Sequence, residues 1–265
     1  MRLDRLAPLA ALLCVPWLSG CVVDDHAFSV SEVQEATRPL QADGRFSLEN
    51  VNGRIHVDTW DQPRVRIEAT KRAPDRAALE RVRVEISGQA DCVDVRTRQP
   101  KTGWTLFGSA AAVEYHVTVP RAAQVRVVST NGRIEVDGVT GTLEARTVNG
   151  AVTITGAAAR VAASTVNGRI RASYARADAD ALHRFSTTNG RIEVTLTAGA
   201  GGSLEASTVN GSIRSDLQLA HEHARPHSLK GRLGEGRGGF ELATVNGSIS
   251  IVRAGASASS DADKS

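Results

Sequence analysis

The sequence predicts an all-β protein: a parallel β-solenoid with coils of about 18–22 residues and one short helical insertion. Three observations predict it. First, Asn-Gly recurs seven times inside nearly one phrase. The copies are NVNGRIHV (50–57), STNGRIEV (129–136), TVNGAVTI (147–154), STVNGRIR (164–171), STTNGRIEV (186–194), STVNGSIR (207–214) and ATVNGSISI (243–251). Second, the spacing is nearly even: after Asn131 come Asn149, Asn167, Asn189 and Asn210, at steps of 18, 18, 22 and 21 residues. A fixed period of this size marks a repeat architecture. Third, aromatics make up only 4% of the chain, and the apolar content leans on Val, Ala, Ile and Leu, with many Thr and Gly. Narrow coils are built from small and β-branched residues.

Asn-Gly between alternating runs is also the strongest short hairpin signal. An antiparallel β-meander, closed as a sandwich or barrel, is therefore the alternative. Recurrence of the whole phrase favours the solenoid, because there each residue stacks on its counterpart about 4.8 Å away. Asn can then extend an amide ladder, and Gly can take the positive φ of a corner. On this reading the structural corners are Asn52-Gly53, Asn131-Gly132, Asn149-Gly150, Asn167-Gly168, Asn189-Gly190, Asn210-Gly211 and Asn246-Gly247.

In order along the chain, residues 1–20 read as a signal peptide. Arg2 and Arg5 precede an apolar run, Leu6 to Trp17, that is too short to span a bilayer. Residues 21–42 are polar and aperiodic and read as a tether. Residues 43–252 form the solenoid domain. Strands are expected around the first Asn-Gly (Phe46 to Thr70), then at 82–86, 92–96, 113–119 and 125–128 by alternation. Pro74, Asp75 and the apolar spacing of Ala77, Ala78, Leu79 and Val82 predict one short helix, from Pro74 to about Val84. Residues 97–111 read as a loop. From Val125 each coil is two short strands and two corners: Leu143 and Ala145 face inward, the 148–150 corner turns the chain, and Val152 and Ile154 face inward again. The step of 36 from Asn210 to Asn246 suggests a worn coil in which Lys230-Gly231-Arg232-Leu233 replaces the usual corner. Residues 253–265 are Ala/Ser/Asp-rich and read as a disordered tail.

The signal ends in Leu18-Ser19-Gly20-Cys21, which resembles the lipobox of bacterial lipoproteins. The resemblance implies that Cys21 is acylated and becomes the new N-terminus; by the same analogy Val22 points to the outer membrane of a double-membraned bacterium. Cys14 leaves with the signal, so Cys92 remains alone and no disulfide framework is expected. Its alternating run suggests an inward-facing core thiol. The formal charge of +3 is mild. It permits an anionic partner and argues against nucleic acid, which needs dense basic surface.

Arg54, Arg133, Arg169, Arg191 and Arg232 follow the glycine and would line one edge, with Glu135 and Glu193 two residues on. A guanidinium fork suits carboxylate or phosphate, so this edge is the candidate site for anionic envelope glycans or lipid headgroups. The bland reading is a solvated row that blocks edge pairing. His221, His223 and His227 form the one histidine cluster of the sequence; a fourth ligand is missing, and a polar insertion explains it more simply than metal. No cofactor is expected. No G-x-S-x-G, H-E-x-x-H or Walker sequence is present. The nearest acidic pair, Asp178 and Asp180, reads as a solvated linker, and Asp58 and Asp61 lie far from it in sequence.

The Thr-x-Asn-Gly-x-Ile spacing, the Gly-rich stretch 234–239 before a closing Asn-Gly coil, and the lipoprotein start together resemble the bacterial putative-adhesin family. The resemblance covers roughly Phe46 to Val252. It implies a β-solenoid, a place in the cell envelope and a non-catalytic role. The expected function is thus a lipid-anchored envelope protein with a binding or structural surface, held to the membrane by its anchor and contacting envelope glycan, anionic lipid or another envelope protein. The alternatives are an accessory protein in envelope-stress signalling and a polysaccharide-active enzyme.

Overall fold

The computed structural model describes residues 30–99, 111–157, 159–197 and 199–254. Cys21, the signal peptide and residues 255–265 of the expected tail lie outside them. The chain opens with β1 (Val30–Pro39), β2 (Arg45–Glu49), β3 (Ile55–Trp60) and β4 (Arg64–Ala73). Helix α1 (Arg76–Glu80) follows, then β5 (Arg83–Gln89), β6 (Cys92–Arg98) and β7 (Ala112–Pro120). The repeat supplies β8 (Gln124–Val128), β9 (Ile134–Asp137), β10 (Leu143–Arg146), β11 (Val152–Ala157), β12 (Val161–Asn167) and β13 (Ile170–Tyr174). It continues with β14 (Leu182–Asn189), β15 (Ile192–Leu196), β16 (Ser203–Asn210) and β17 (Ile213–Ser215). Last come β18 (Ala220–Arg225), β19 (Ser228–Arg232), β20 (Gly239–Asn246) and β21 (Ile249–Arg253).

Two sheets face each other. One runs β1-β4-β7-β3-β9-β11-β13-β15-β21-β17 and the other β18-β19-β16-β20-β14-β12-β10-β8-β2-β6-β5. Within the coils every pairing is parallel, which decides for the solenoid over the meander. Like residues stack: Leu143 pairs with Val125 on one side and Val161 on the other, and Ile170 lies between Val152 and Ile192. Inward residues such as Val127, Ile134, Ala145, Ile154, Phe185, Ile192, Phe240 and Ile249 are all but inaccessible. Each fully buried Val, Leu, Ile or Phe contributes about 1.5–3 kcal/mol, so this seam between the sheets is the main source of stability.

The coils do not stack in chain order. Along the axis the layers run β6/β7, β2/β3, β8/β9, β10/β11, β12/β13, β14/β15, β20/β21 and β16/β17. The first coil in sequence therefore sits second, and the last is threaded between its two predecessors. Glycines permit that threading. A Cβ on Gly238 or Gly239 would overlap the backbone carbonyl of Ala181 or Ser203. Gly239 N–H instead donates to Ala181 O at 3.0 Å, and Ser203 N–H to Gly238 O at 3.0 Å.

Antiparallel strands cover three of the four sheet ends, β17 being left at the fourth. β4 pairs with β7 and β1 with β4, β5 pairs with β6, and the β18–β19 hairpin pairs with β16. The structure corrects four expectations. Residues 30–39 are a strand rather than tether. Lys230-Gly231-Arg232 belongs to that hairpin and is not a worn coil. The helix is shorter than expected, five residues capped by Asp75, whose carboxylate accepts from Ala78 N–H at 2.6 Å. Arg253, expected in the tail, belongs to β21. Cys92 also differs. It lies on the outer face, with Sγ 3.3 Å from Arg45 Nη2, while Val93 and Val95 fill the core.

Candidate functional site

The corner ridge is built from four consecutive positions of the phrase. The first, Thr or its equivalent, is buried in every layer: Thr97, Asn50, Ser129, Thr147, Thr165, Thr187, Thr244 and Thr208. Threonine hydroxyls at this position donate to the corner-glycine carbonyl of the neighbouring coil, as in Thr165 to Gly150 O at 3.1 Å and Thr208 to Gly247 O at 3.1 Å. Asn50 takes over this job at one end. Its amide donates to Val113 O at 2.8 Å and its carbonyl accepts from Thr97 at 2.9 Å. Thr97 in turn meets the Tyr115 hydroxyl at 2.7 Å; burial pushes that phenol up to about 12.

The second position points outward: Val51, Thr130, Val148, Val166, Thr188, Val245 and Val209, of which Val148, Val166 and Val245 are 40–41% exposed and Val209 61%. The third is the asparagine, and here the expected ladder is continuous. Asn131 donates to Asn52, Asn149 to Asn131, Asn167 to Asn149, Asn189 to Asn167, Asn246 to Asn189 and Asn210 to Asn246, all at 2.7–2.9 Å. The fourth is glycine, for a reason other than the one expected. Positive φ is confined to Gly53 and Gly247 among the seven. At each of Gly132, Gly150, Gly168, Gly190, Gly211 and Gly247 a Cβ would overlap the carbonyl oxygen of the adjacent corner glycine. Close stacking, more than backbone handedness, demands the glycine.

The arginines follow. Arg54, Arg133, Arg169 and Arg191 occupy one coil position, interrupted by Ala151, Ser248 and Ser212. Arg133, Arg169 and Arg191 are 52–55% exposed. Arg232 does not join them: it is on β19, donating to Gly234 O and Gly236 O at 3.5 and 3.1 Å. The row is partly self-paired. Arg133 lies 3.4 Å from Glu135. Glu193 is bonded by Arg171 at 2.7 and 2.9 Å, with Arg191 and Arg169 looser at 3.5 and 3.9 Å. Burial pushes the Glu193 carboxyl up, yet the three guanidiniums outweigh it and the net shift is downward. Among the described residues Arg54 has no ion-pair partner.

A second feature went unread in the sequence. A cleft of about 340 Å³ opens on the outer face of β3, β4, β7 and β9, lined by Arg54, His56, Glu68, Glu114, His116 and Glu135 among others. His56 pairs directly with His116 across β3 and β7, and Asp58 lies two residues beyond His56 on the same face. Both imidazole Nε2 atoms aim at one Asp58 oxygen, at 3.0 and 2.8 Å. The histidines expected as metal candidates are not gathered: His221, His223 and His227 are exposed along β18 and its turn. Asp178 and Asp180 serve a corner, Asp180 accepting from Arg237 N–H at 3.0 Å.

Residues 42–252 match the Toastrack family, DUF4097. The chain belongs to this family. Three solved structures are similar to this Toastrack protein. A putative cell adhesion protein from Clostridium sporogenes is 10% identical, with a TM-score of 0.48, and the match covers 84% of this chain and 100% of that one. A putative adhesin from Bacteroides fragilis is 10% identical, with a TM-score of 0.33 over 84% and 97% of the two chains. A putative lipid binding protein from Parabacteroides distasonis is 11% identical, with a TM-score of 0.29 over 85% and 97%. No curated protein matches the sequence. Among the described residues no helix is long and apolar enough to cross a membrane.

Proposed function

We propose that this Toastrack protein is a lipid-anchored, non-catalytic binding module of the cell envelope, whose corner ridge holds anionic envelope glycan. The observation that carries the reading is the alignment of exposed guanidiniums beside the amide ladder. Strands stack at about 4.8 Å, so Arg54 to Arg191 span about 19 Å of ridge, a length suited to a polymer. The Arg133, Arg169 and Arg191 ion pairs do not prevent this. Exposed pairs are worth about 0–1 kcal/mol, and Glu193 is already satisfied by Arg171, so these arginines can turn to a ligand carboxylate or phosphate. The valine and threonine positions alongside offer small apolar contacts for sugar faces. Cys21 would supply the anchor; acylation puts about 0.8 kcal/mol per methylene into the membrane.

The test is charge reversal. Arg133→Glu, Arg169→Glu and Arg191→Glu together should lower binding to a purified anionic envelope polysaccharide by at least about tenfold at low salt, with little loss of wild-type binding to a neutral one. Anionic phospholipid vesicles form a parallel arm, and preference for them would redirect the reading to headgroups. Binding unchanged by the triple substitution would sink it. Loss of membrane retention in Cys21→Ser checks the anchor separately.

A further inference from the structure

We infer that His56, Asp58 and His116 form a binding site for a divalent transition-metal ion of the zinc class. This inference is independent of the ridge function proposed above.

The donor set comes first. Two imidazoles and a carboxylate are a ligand combination that zinc accepts, with water in the remaining position. Their ligand atoms all lie within 4.8 Å of one another. A tetrahedral ion with bonds of about 2.0–2.1 Å sets neighbouring donors about 3.3 Å apart. The Nε2 to Oδ2 separations of 3.0 and 2.8 Å need to open by only a few tenths of an ångström. Rigid strands hold the donors: His56 and Asp58 share a face of β3, and His116 sits directly across on β7.

The surroundings of His56 point the same way. His56 Nε2 faces Asp58, whereas its Nδ1 is inaccessible to solvent and has no hydrogen-bond partner. That buried nitrogen looks toward two further carboxylates, Glu135 at 3.8 Å and Asp137 at 3.9 Å. A neutral imidazole carries one N–H. If Nε2 donates to Asp58, the Nδ1 lone pair faces two anions. A cation on Nε2 reverses this: the proton moves to Nδ1 and points at Glu135 and Asp137. Ligating histidines are generally oriented by just such an outer carboxylate. Asp58 fits the same view, since its partners among the described residues are the two imidazoles and no guanidinium. The outer carboxylate Glu135 is balanced by Arg133.

The experiment is titration of the metal-stripped full-length protein with Zn²⁺ by calorimetry, with Co²⁺ absorption as a second readout. Saturable one-to-one binding and the absorption bands of low-symmetry Co²⁺ are expected. His116→Ala and Asp58→Asn should each weaken Zn²⁺ by about 100-fold or more, since even an outer-shell change costs about 10–100-fold. Both positions are substantially exposed, and circular dichroism verifies that the variants fold. A triple variant, His221→Ala, His223→Ala and His227→Ala, should bind as the wild type does. No saturable binding, binding indifferent to His116→Ala and Asp58→Asn, or binding lost only in the triple variant would each overturn the inference. The last result would instead place the ion on the β18 hairpin.

Discussion

At the corner, a single hydroxyl decides how tightly one coil sits on the next. Thr165 donates to Gly150 O, whereas Ser129, its counterpart two layers away along the stack, has a buried Oγ with no partner. Thr165→Val should therefore cost about 1 kcal/mol in urea denaturation, the usual net worth of a hydrogen bond, and Ser129→Ala should cost less. The glycine amides make a second contrast. Asn-Gly degrades when the glycine nitrogen attacks the asparagine side chain. Here Gly53, Gly132, Gly150, Gly168, Gly190 and Gly247 each donate that N–H to the asparagine carbonyl of the adjoining layer, at 2.9–3.1 Å. Gly211 closes the stack and has no such backbone partner among the described residues. Deamidation of the folded protein should start at Asn210, as peptide mass spectrometry after mild alkaline incubation would show; uniform deamidation across the corners would contradict this. The ladder itself was legible in the sequence because identical residues recur at one spacing. The reason for its glycines was not, since it depends on how near the neighbouring backbone comes.

Elements join through side chains that the repeat does not share. His183 on β14 is fully buried, stacked on Phe240 of β20 and bonded to the Tyr174 hydroxyl of β13 at 2.9 Å. It thus ties the threaded last coil to its neighbours. Nε2 faces the Asp178 carbonyl, so the neutral ring donates there and accepts from Tyr174 through Nδ1. Burial, the larger effect, lowers its proton affinity below the ordinary 6.5, against the raising influence of Asp178. The unfolded chain then binds more protons than the folded one, and stability rises with pH through that window. The contribution is complete above about 6.5 and fades as pH falls toward the folded-state value. Urea midpoints measured from pH 5 to 8 should show this slope, and the paired variant His183→Phe with Tyr174→Phe should flatten it. An unchanged slope would reassign the proton uptake. Strand identity within the coils was readable from alternation, as for Leu143 and Ala145. The end strands were not: Val30–Pro39 and Ala220–Arg225 are strands only because β4 and β19 pair with them, and their own side chains are largely exposed. Covering the edges of β7 and β16 in this way shields open ladders that would otherwise recruit other chains.

Across the whole molecule, the solenoid converts a short phrase into a long, regular surface. Chain order gave no hint that the last coil enters between two earlier ones, because parallel neighbours in a stack are interchangeable wherever their phrases match. Nor could it bring His116 beside His56, which needed the β3–β7 pairing across sixty residues of intervening chain. The arginine positions were legible as a register, with Arg232 the exception, since its hairpin breaks the repeat. On the function proposed above, the asparagine ladder is the scaffold and the ridge it carries is the working surface. Hydrogen–deuterium exchange of the full-length protein with and without anionic envelope polysaccharide tests this most directly. The account predicts slowed exchange confined to the corner segments 50–56, 129–135, 147–152, 165–171 and 187–193. Slowed exchange on the flat faces of the sheets, or none at the corners despite saturating binding, would contradict it.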